Sequence, residues 1–175
     1  MSGWRRSWPV LARMSRGLPL EFFVRHATFD VMTDQLKLLA QSEDDLKIVS
    51  SILQDAVLKV GDLAWLPDQH RFVAVLNRYR WERGSDGGRG ERIRTGVHFD
   101  HVLATQSRFV PRDDPDHVME LLAVEGETRE DGDVDILLKF AGYATIRLQA
   151  DCIELQIRDL TGPWKARRKP EHLLD

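Results

Sequence analysis

The sequence has a single cysteine, Cys152, among its 175 residues. One cysteine cannot form an intrachain disulfide or a cluster of thiolate ligands, which excludes disulfide-stabilised secreted scaffolds and cysteine-rich zinc domains. A free cysteine is usually a small buried apolar residue, and we expect that role for Cys152. The composition suits a reducing compartment, so we expect a cytoplasmic protein.

Long apolar runs are also missing. No run approaches the roughly 20 residues that a membrane-spanning helix requires, so we expect no membrane span. Apolar residues make up 42% of the chain and charged residues 30%, which are ordinary values for a globular protein. A chain of 175 residues can bury a self-sufficient core, and it fits one domain.

The familiar catalytic signatures do not occur. The sequence contains no G-x-S-x-G, H-E-x-x-H, C-x-x-C or dinucleotide-binding glycine pattern. The glycine-rich stretch GSDGGRG, residues 84–90, lacks the Gly-Lys-Ser/Thr end of a phosphate-binding loop, and it does not lead into a helix. These absences favour a binding protein over an enzyme, and we expect no cofactor.

A net positive charge is missing outside the first 31 residues. Residues 1–31 carry five arginines and two acidic residues, a net charge of 5 − 2 = +3, and the total of −3 leaves −6 for the rest. A net negative charge on the rest of the chain argues against nucleic acid as a partner, because proteins that bind nucleic acid contact its phosphates with a basic surface.

The chain divides into three parts by composition. Residues 1–31 scatter Trp, Pro and Arg without a period of 2 or 3.6, which predicts a poorly ordered leader upstream of a natural start at Met32. Residues 32–164 form the single globular domain, and residues 165–175 form a basic tail. An amphipathic surface segment on a partner or membrane is the alternative interpretation of the leader.

From Gln35 onwards the pattern predicts an α+β domain. Ser42 can cap a helix over Glu43–Val57, whose apolar residues recur at helical spacing. Short strands and turns follow, without a helix long enough for a parallel crossover. We therefore predict a curved antiparallel meander sheet, or a partly open barrel, of about six or seven strands.

The segment Asp151–Leu160 fits two secondary structures. Its apolar residues alternate as in a strand, but some also lie at helical spacing, and Asp151 could cap a helix. We favour a short C-terminal helix that closes the sheet. A meander with a closing helix is similar to the pleckstrin-homology-like arrangement.

The stretch Arg71–Glu82, RFVAVLNRYRWE, begins as a buried strand and ends in aromatic, amide and guanidinium groups. We predict Arg78, Arg80 and Trp81 as a site for a small anionic ligand or an acidic segment of a partner protein, because Arg and Trp are favoured interface anchors. The alternative interpretation is a scaffold, in which Trp81 covers the core and the arginines pair with acidic neighbours.

His98, Asp100 and His101 come nearest to a metal site, since imidazole and carboxylate groups bind zinc or iron. His98 and Asp100 share one face of an extended strand, whereas His101 points to the other face. The three converge only if the strand bulges. We predict no metal site, and a small metal-dependent enzyme that uses these residues is an alternative function.

Several stretches resemble a known family. LKLLA, GDLAWLP, RFVAVLNRYRWE, GVHFDHVLA and FAGYATIRLQADCIELQIRDLTGPW, between Leu36 and Trp164, are similar to a bacterial family catalogued as domain of unknown function 2948. The resemblance implies a bacterial protein. It implies no activity, cofactor or catalytic residue, because none is established for the family.

The leading hypothesis is a non-catalytic cytoplasmic binding or adaptor module of a bacterium, with an unidentified protein partner or small anionic ligand. A nucleotide or RNA binder that uses Arg78, Arg80 and the tail from Lys165 to Lys169 is a further alternative. The sequence does not indicate an oligomeric state.

Overall fold

Antiparallel strands dominate the computed structural model, which describes residues 3–6, 35–81, 90–167 and 170. The strands are β1 (Arg5–Arg6), β2 (Lys37–Ala40), β3 (Ala56–Lys59), β4 (Leu63–Leu66), β5 (Arg71–Tyr79), β6 (Glu91–Phe99), β7 (Val102–Arg108), β8 (Val118–Thr128), β9 (Val134–Phe140), β10 (Thr145–Ala150), β11 (Leu155–Asp159) and β12 (Trp164–Lys165). One α-helix, α1 (Glu43–Leu53), accompanies them in the described ranges. The predicted α+β class is confirmed.

The strands form one open sheet. Its path runs β1-β7-β10-β9-β8-β3-β5-β6-β11-β2, while β4 pairs with β5 and β12 pairs with β6. Every pairing is antiparallel, as predicted. Among the described residues the sheet has 12 strands rather than about six or seven. A 3₁₀ turn at Val60–Asp62 separates β3 from β4 within one apolar stretch, and β1 and β12 are too short to show a pattern.

The order departs from a simple meander in several places, and two of these departures meet at one corner of the sheet. There β6 passes into β7 through residues 100–101, and β10 passes into β11 through residues 151–154. The two connections are joined, because the Asp100 N–H donates to the Glu154 carbonyl at 2.9 Å and the Asp151 N–H donates to the His101 carbonyl at 3.2 Å. As a result, β6 pairs with β11 on one side of the corner and β7 pairs with β10 on the other.

The predicted C-terminal helix over Asp151–Leu160 is wrong. The structure has strand β11 there, with β6 on one side and β2 on the other. The spacing of the apolar residues allowed either a helix or a strand. Pairing with β6 and β2 favours the strand, because a strand at this place satisfies the backbone hydrogen-bonding groups of both neighbours. Without that helix, the pleckstrin-homology-like arrangement loses the element on which it rested.

Helix α1 begins and packs as predicted, but it ends earlier. The Asp45 N–H donates to the Ser42 hydroxyl at 3.1 Å, which caps the first turn. The apolar face packs on β8 so closely that a Cβ added at Gly126 would lie 2.5 Å from Leu46 Cδ1. The helix ends at Leu53 rather than Val57, because the chain turns sharply at Asp55, with φ of 60°, and enters β3.

Parts of the predicted leader and tail lie outside the described residues. Within the leader, residues 3–6 are described, and β1 pairs with β7; the remainder of residues 1–31 and the start at Met32 are not described. The loop at residues 84–90 is described only at Gly90, and the tail only at residues 165–167 and 170. In the described ranges, no helix has both the length and the apolar character needed to cross a membrane.

A buried ion pair joins four parts of the sheet. The side chains of Arg78 on β5 and Asp159 on β11 are both 0% exposed. Two hydrogen bonds connect them, Nε to Oδ1 at 3.0 Å and Nη2 to Oδ2 at 2.8 Å. The hydroxyl of Thr95 on β6 donates to Oδ1 at 2.7 Å, and the N–H of Leu36, just before β2, donates to Oδ2 at 2.9 Å. Each carboxylate oxygen therefore accepts two hydrogen bonds in the core.

We predict that Asp159→Ala lowers the free energy of unfolding by about 3–5 kcal/mol, because it leaves the Arg78 guanidinium buried without its counter-charge. Urea denaturation monitored by circular dichroism measures the change. The matched control is Asp44→Ala, which removes an 87% exposed partner of Lys47 and should cost less than about 1 kcal/mol. Equal losses in the two variants would contradict a structural role for the buried pair.

Candidate functional site

The structure places the predicted site residues Arg78, Arg80 and Trp81 against the scaffold. Arg78 lies in the core beside Asp159. The Arg80 guanidinium is buried, and its Nη1 donates to Glu91 Oε2 at 2.9 Å. The half-buried Trp81 ring lies 4.4 Å from the Tyr79 ring, and its Nε1 is 3.4 Å from the Gln54 carbonyl. This geometry agrees with the scaffold alternative, and ligand binding by the three residues stays a prediction.

The structure separates the alternative metal set. His98 Nε2 lies 3.4 Å from Asp100 Oδ2, and Arg71 Nε donates to Asp100 Oδ1. His101 points elsewhere, with its Nδ1 3.5 Å from Asp151 Oδ1. A guanidinium already balances the Asp100 carboxylate, so this pair is poorly suited to hold a cation as well.

Neighbouring side chains lower the pKa of the Asp100 carboxyl. Partial burial disfavours its ionised form, but hydrogen bonds from His98 and Arg71 outweigh that effect and lower the pKa of Asp100. The ionised group therefore stabilises the corner between β6 and β7.

We predict that Asp100→Asn destabilises the protein at pH 7, and that its effect shrinks in acid. The unfolded-state pKa of Asp is about 3.9, and the folded-state pKa of Asp100 lies below its ordinary value. The stabilisation is therefore fully present above about pH 4 and is lost as the pH falls through the folded-state pKa. Urea denaturation of both proteins from pH 7 to about pH 3 tests this. A difference in unfolding free energy that stays constant over this range would contradict it.

Cys152 is exposed, so the expected buried role is wrong. It lies in the connection between β10 and β11 at the corner of the sheet, next to the exposed Asp151. Partial desolvation of the thiol, followed by its hydrogen bond to Asp151 and the nearby negative charges, raises the pKa of Cys152. A raised pKa keeps the group a neutral thiol at pH 7, which does not suit a catalytic nucleophile.

A cleft of about 860 Å³ opens at the edge of the sheet. Its volume lies within the range of roughly 300–1,000 Å³ that small-ligand sites occupy. The walls come from the end of β7, from β8 and β9, from the turn between β9 and β10, and from the segment before β1. The main lining side chains are Trp4, Arg108, Phe109, Leu122, Lys139 and Tyr143.

Two aromatic residues of the cleft adopt an unusual backbone conformation. Phe109 has a φ of 57° and is 64% exposed; Tyr143 has a φ of 64° and is 87% exposed. The left-handed region costs a bulky non-glycine residue about 1–3 kcal/mol, and such strain concentrates at binding sites. The Arg108 guanidinium carbon lies 4.7 Å from the centroid of the Phe109 ring, in cation–π contact. The strained backbone thus presents two aromatic rings to the outside.

The N-terminal segment forms one wall of this cleft. Strand β1 pairs with β7 through Arg5 opposite Ser107 and Arg6 opposite Gln106. The residue before it, the half-buried Trp4, lines the cleft together with Phe109 and Tyr143. An extended segment is therefore added to the edge of the sheet, and the aromatic residue before it lines the same cleft as Phe109 and Tyr143.

Sequence reasoning did not identify the cleft. Phe109 and Tyr143 lie where the chain turns, and a turn residue has no periodic pattern that shows which surface it faces. Trp4 precedes the regular part of the sequence by about thirty residues and was assigned to the leader. The available signal was the presence of large aromatic residues in turns, where small and polar residues are usual.

A family comparison agrees with the sequence resemblance. Residues 36–172 match the model of a family described as "Protein of unknown function (DUF2948)". No curated protein and no solved structure matches the chain significantly. The match includes every lining residue of the cleft named above except Trp4, which precedes it with strand β1.

Proposed function

The chain belongs to the DUF2948 family, and we propose that it is a non-catalytic binding module that receives an extended peptide on the edge of β7. The observation that carries this proposal is β1, which already lies on that edge with Trp4 in the aromatic cleft. The missing catalytic motifs and the raised pKa of Cys152 support a binding role over an enzymatic one. A bacterial, cytoplasmic location fits the single exposed thiol, which stays reduced there.

The edge of β7 can pair with more backbone than β1 supplies. An edge strand presents N–H and C=O groups that any extended segment can bind. Strand β7 has seven residues, and β1 pairs with Gln106 and Ser107 only. The Val102 N–H donates to the His70 carbonyl at 2.8 Å, and in the part of the chain that the structure describes no strand besides β10 pairs with residues 103–104. A longer peptide in the register of β1 would therefore gain further backbone hydrogen bonds.

The aromatic cleft supplies selectivity. Backbone pairing alone binds any extended sequence, whereas a pocket for one side chain distinguishes between peptides. Phe109, Tyr143 and Leu122 present exposed apolar surface around the position of Trp4. A large aromatic residue in the partner would bury this surface, and buried aromatic anchors contribute much of the affinity of an interface.

Charge indicates which residue should follow the aromatic anchor. Arg5 of β1 lies close enough to Arg112 that, after burial, its positive charge is the largest effect lowering the pKa of Arg112. Both residues line a second cavity of about 420 Å³ that adjoins the aromatic cleft at Phe109. Two like charges at this place repel, so β1 is a poorly matched occupant. An acidic residue in the place of Arg5 would be attracted to Arg112 instead.

We predict that a partner peptide combines an aromatic residue with an acidic residue directly after it. The probe is a fluorescent peptide that copies residues 2–7 with Arg5→Glu, and the receptor is the full chain with Trp4→Ala, which leaves the cleft open. Fluorescence anisotropy measures binding. We expect it to be about two- to fivefold tighter than for the unaltered copy, since an exposed charge pair contributes about 0.2–1 kcal/mol.

Receptor and peptide variants identify the surface that binds. Truncating an aromatic anchor should weaken binding about tenfold or more, so we expect that loss for Phe109→Asn, for Tyr143→Asn and for a peptide with Trp4→Ala. Asn tolerates the left-handed conformation, which keeps both receptor variants folded. The control is Ile48→Asn, which alters an exposed apolar residue on α1 that does not line the cleft. Absent binding, or equal binding by all variants, would overturn the proposal.

A further inference from the structure

Three metal-ligating side chains gather at the corner of the sheet. The imidazole of His101, the carboxylate of Asp151 and the thiol of Cys152 have donor atoms within 4.8 Å of one another. They come from two connections that lie about fifty residues apart in the sequence, before β7 and after β10. We infer that these three side chains form a binding site for a divalent transition-metal ion, with zinc as the ion that suits the donor set best.

The backbone holds these side chains in place. The Asp151 N–H donates to the His101 carbonyl at 3.2 Å, so a backbone hydrogen bond joins the two residues directly. His101 itself adopts the left-handed conformation, with φ of 61°. The ladder between β10 and β7 shifts register between Gln149 and Ala150, immediately before Asp151. Bulges of this kind re-aim side chains at the end of a ladder, and here they direct the ligands to one point.

The two ring nitrogens of His101 face different carboxylates. Nδ1 lies 3.5 Å from Asp151 Oδ1, whereas Nε2 lies 3.4 Å from Glu154 Oε2. A metal bound through Nδ1 would share Asp151 and Cys152 as ligands. Glu154 would then accept a hydrogen bond from the Nε2–H and orient the ring, which is the usual role of a carboxylate behind a metal-bound histidine. Glu154 is therefore a positioning residue of the site.

The distances and charges suit a small dication. Zinc bond lengths of about 2.0–2.3 Å place tetrahedral donor atoms roughly 3.3–3.8 Å apart. The side chains of His101 and Asp151 are 47% and 54% exposed, so rotation about their side-chain bonds can close the remaining gap. Asp151 and Glu154 make the corner negative, and a divalent ion that displaces the thiol proton of Cys152 offsets that charge. Three protein ligands leave a fourth position for water or another ligand.

The donor types favour zinc over hard cations. Magnesium and calcium prefer sites made of oxygen atoms alone, whereas thiolate and imidazole select zinc and its transition-metal neighbours. Asp100 and His98 on the other face do not join this site, because Arg71 already balances the carboxylate there. The metal ligands thus include His101 but differ from the set that the sequence suggested.

The test uses the full chain, purified without a histidine tag and freed of metal with a chelator. Cobalt(II) is titrated in as a spectroscopic substitute for zinc. We expect one equivalent to bind, with a thiolate-to-cobalt charge-transfer band in the near ultraviolet, and added zinc to displace it. Circular dichroism of each variant checks that the fold is retained.

Four variants distinguish the site from chance binding. Cys152→Ser should abolish the charge-transfer band, and His101→Asn, which tolerates the left-handed backbone, should remove tight binding. Glu154→Gln should weaken binding about 10- to 100-fold, the usual effect of losing a partner of a metal-bound histidine. The control His117→Asn alters another exposed histidine, beside Asp114, and should change nothing. No binding at equimolar cobalt, or an unchanged band in Cys152→Ser, would overturn the inference.

Discussion

The buried ion pair of Arg78 and Asp159 constrains the rest of the structure. With both side chains 0% exposed, every charge and lone pair must find a partner inside the protein. The carboxylate meets this requirement through two hydrogen bonds to Arg78, one from Thr95 and one from the Leu36 backbone. These donors lie on or beside β5, β6 and β2, so Asp159 must sit on a strand between β6 and β2.

The position of β11 beside β6 produces the corner of the sheet, and the corner separates the sheet into two halves. While β11 pairs with β6, the preceding strand β10 pairs with β7. The β6–β7 and β10–β11 connections therefore meet, and the backbone N–H groups of Asp100 and Asp151 donate hydrogen bonds between them. The half that contains Arg78 holds the buried polar network. The other half ends in β7, whose edge receives β1 and whose last residues open the aromatic cleft. The same corner brings His101 next to Asp151.

The sequence predicted the secondary structure wherever interactions between nearby residues determine it. Ser42 and the apolar spacing over Glu43–Val57 predicted α1, although the helix ends at Leu53, and alternation predicted antiparallel strands. The scaffold interpretation of Arg78 followed from the tendency of buried charges to pair. Its partner could not be predicted, since Asp159 lies 81 residues away and its own segment fitted both a helix and a strand. Phe109 and Tyr143 line one cleft because β7 pairs with β10. Pairing between distant strands produces no recognisable pattern in the sequence around either residue.

The strain in the aromatic cleft argues for a contact outside the domain. A left-handed backbone at a bulky residue persists only if surrounding contacts compensate for it. Tyr143 is 87% exposed, so its side chain makes few contacts within the fold that could do so. The turn would adopt the same conformation more favourably with glycine or asparagine at this position. An exposed tyrosine in this place contributes little to the stability of the sheet, and the peptide-binding role proposed above would account for it.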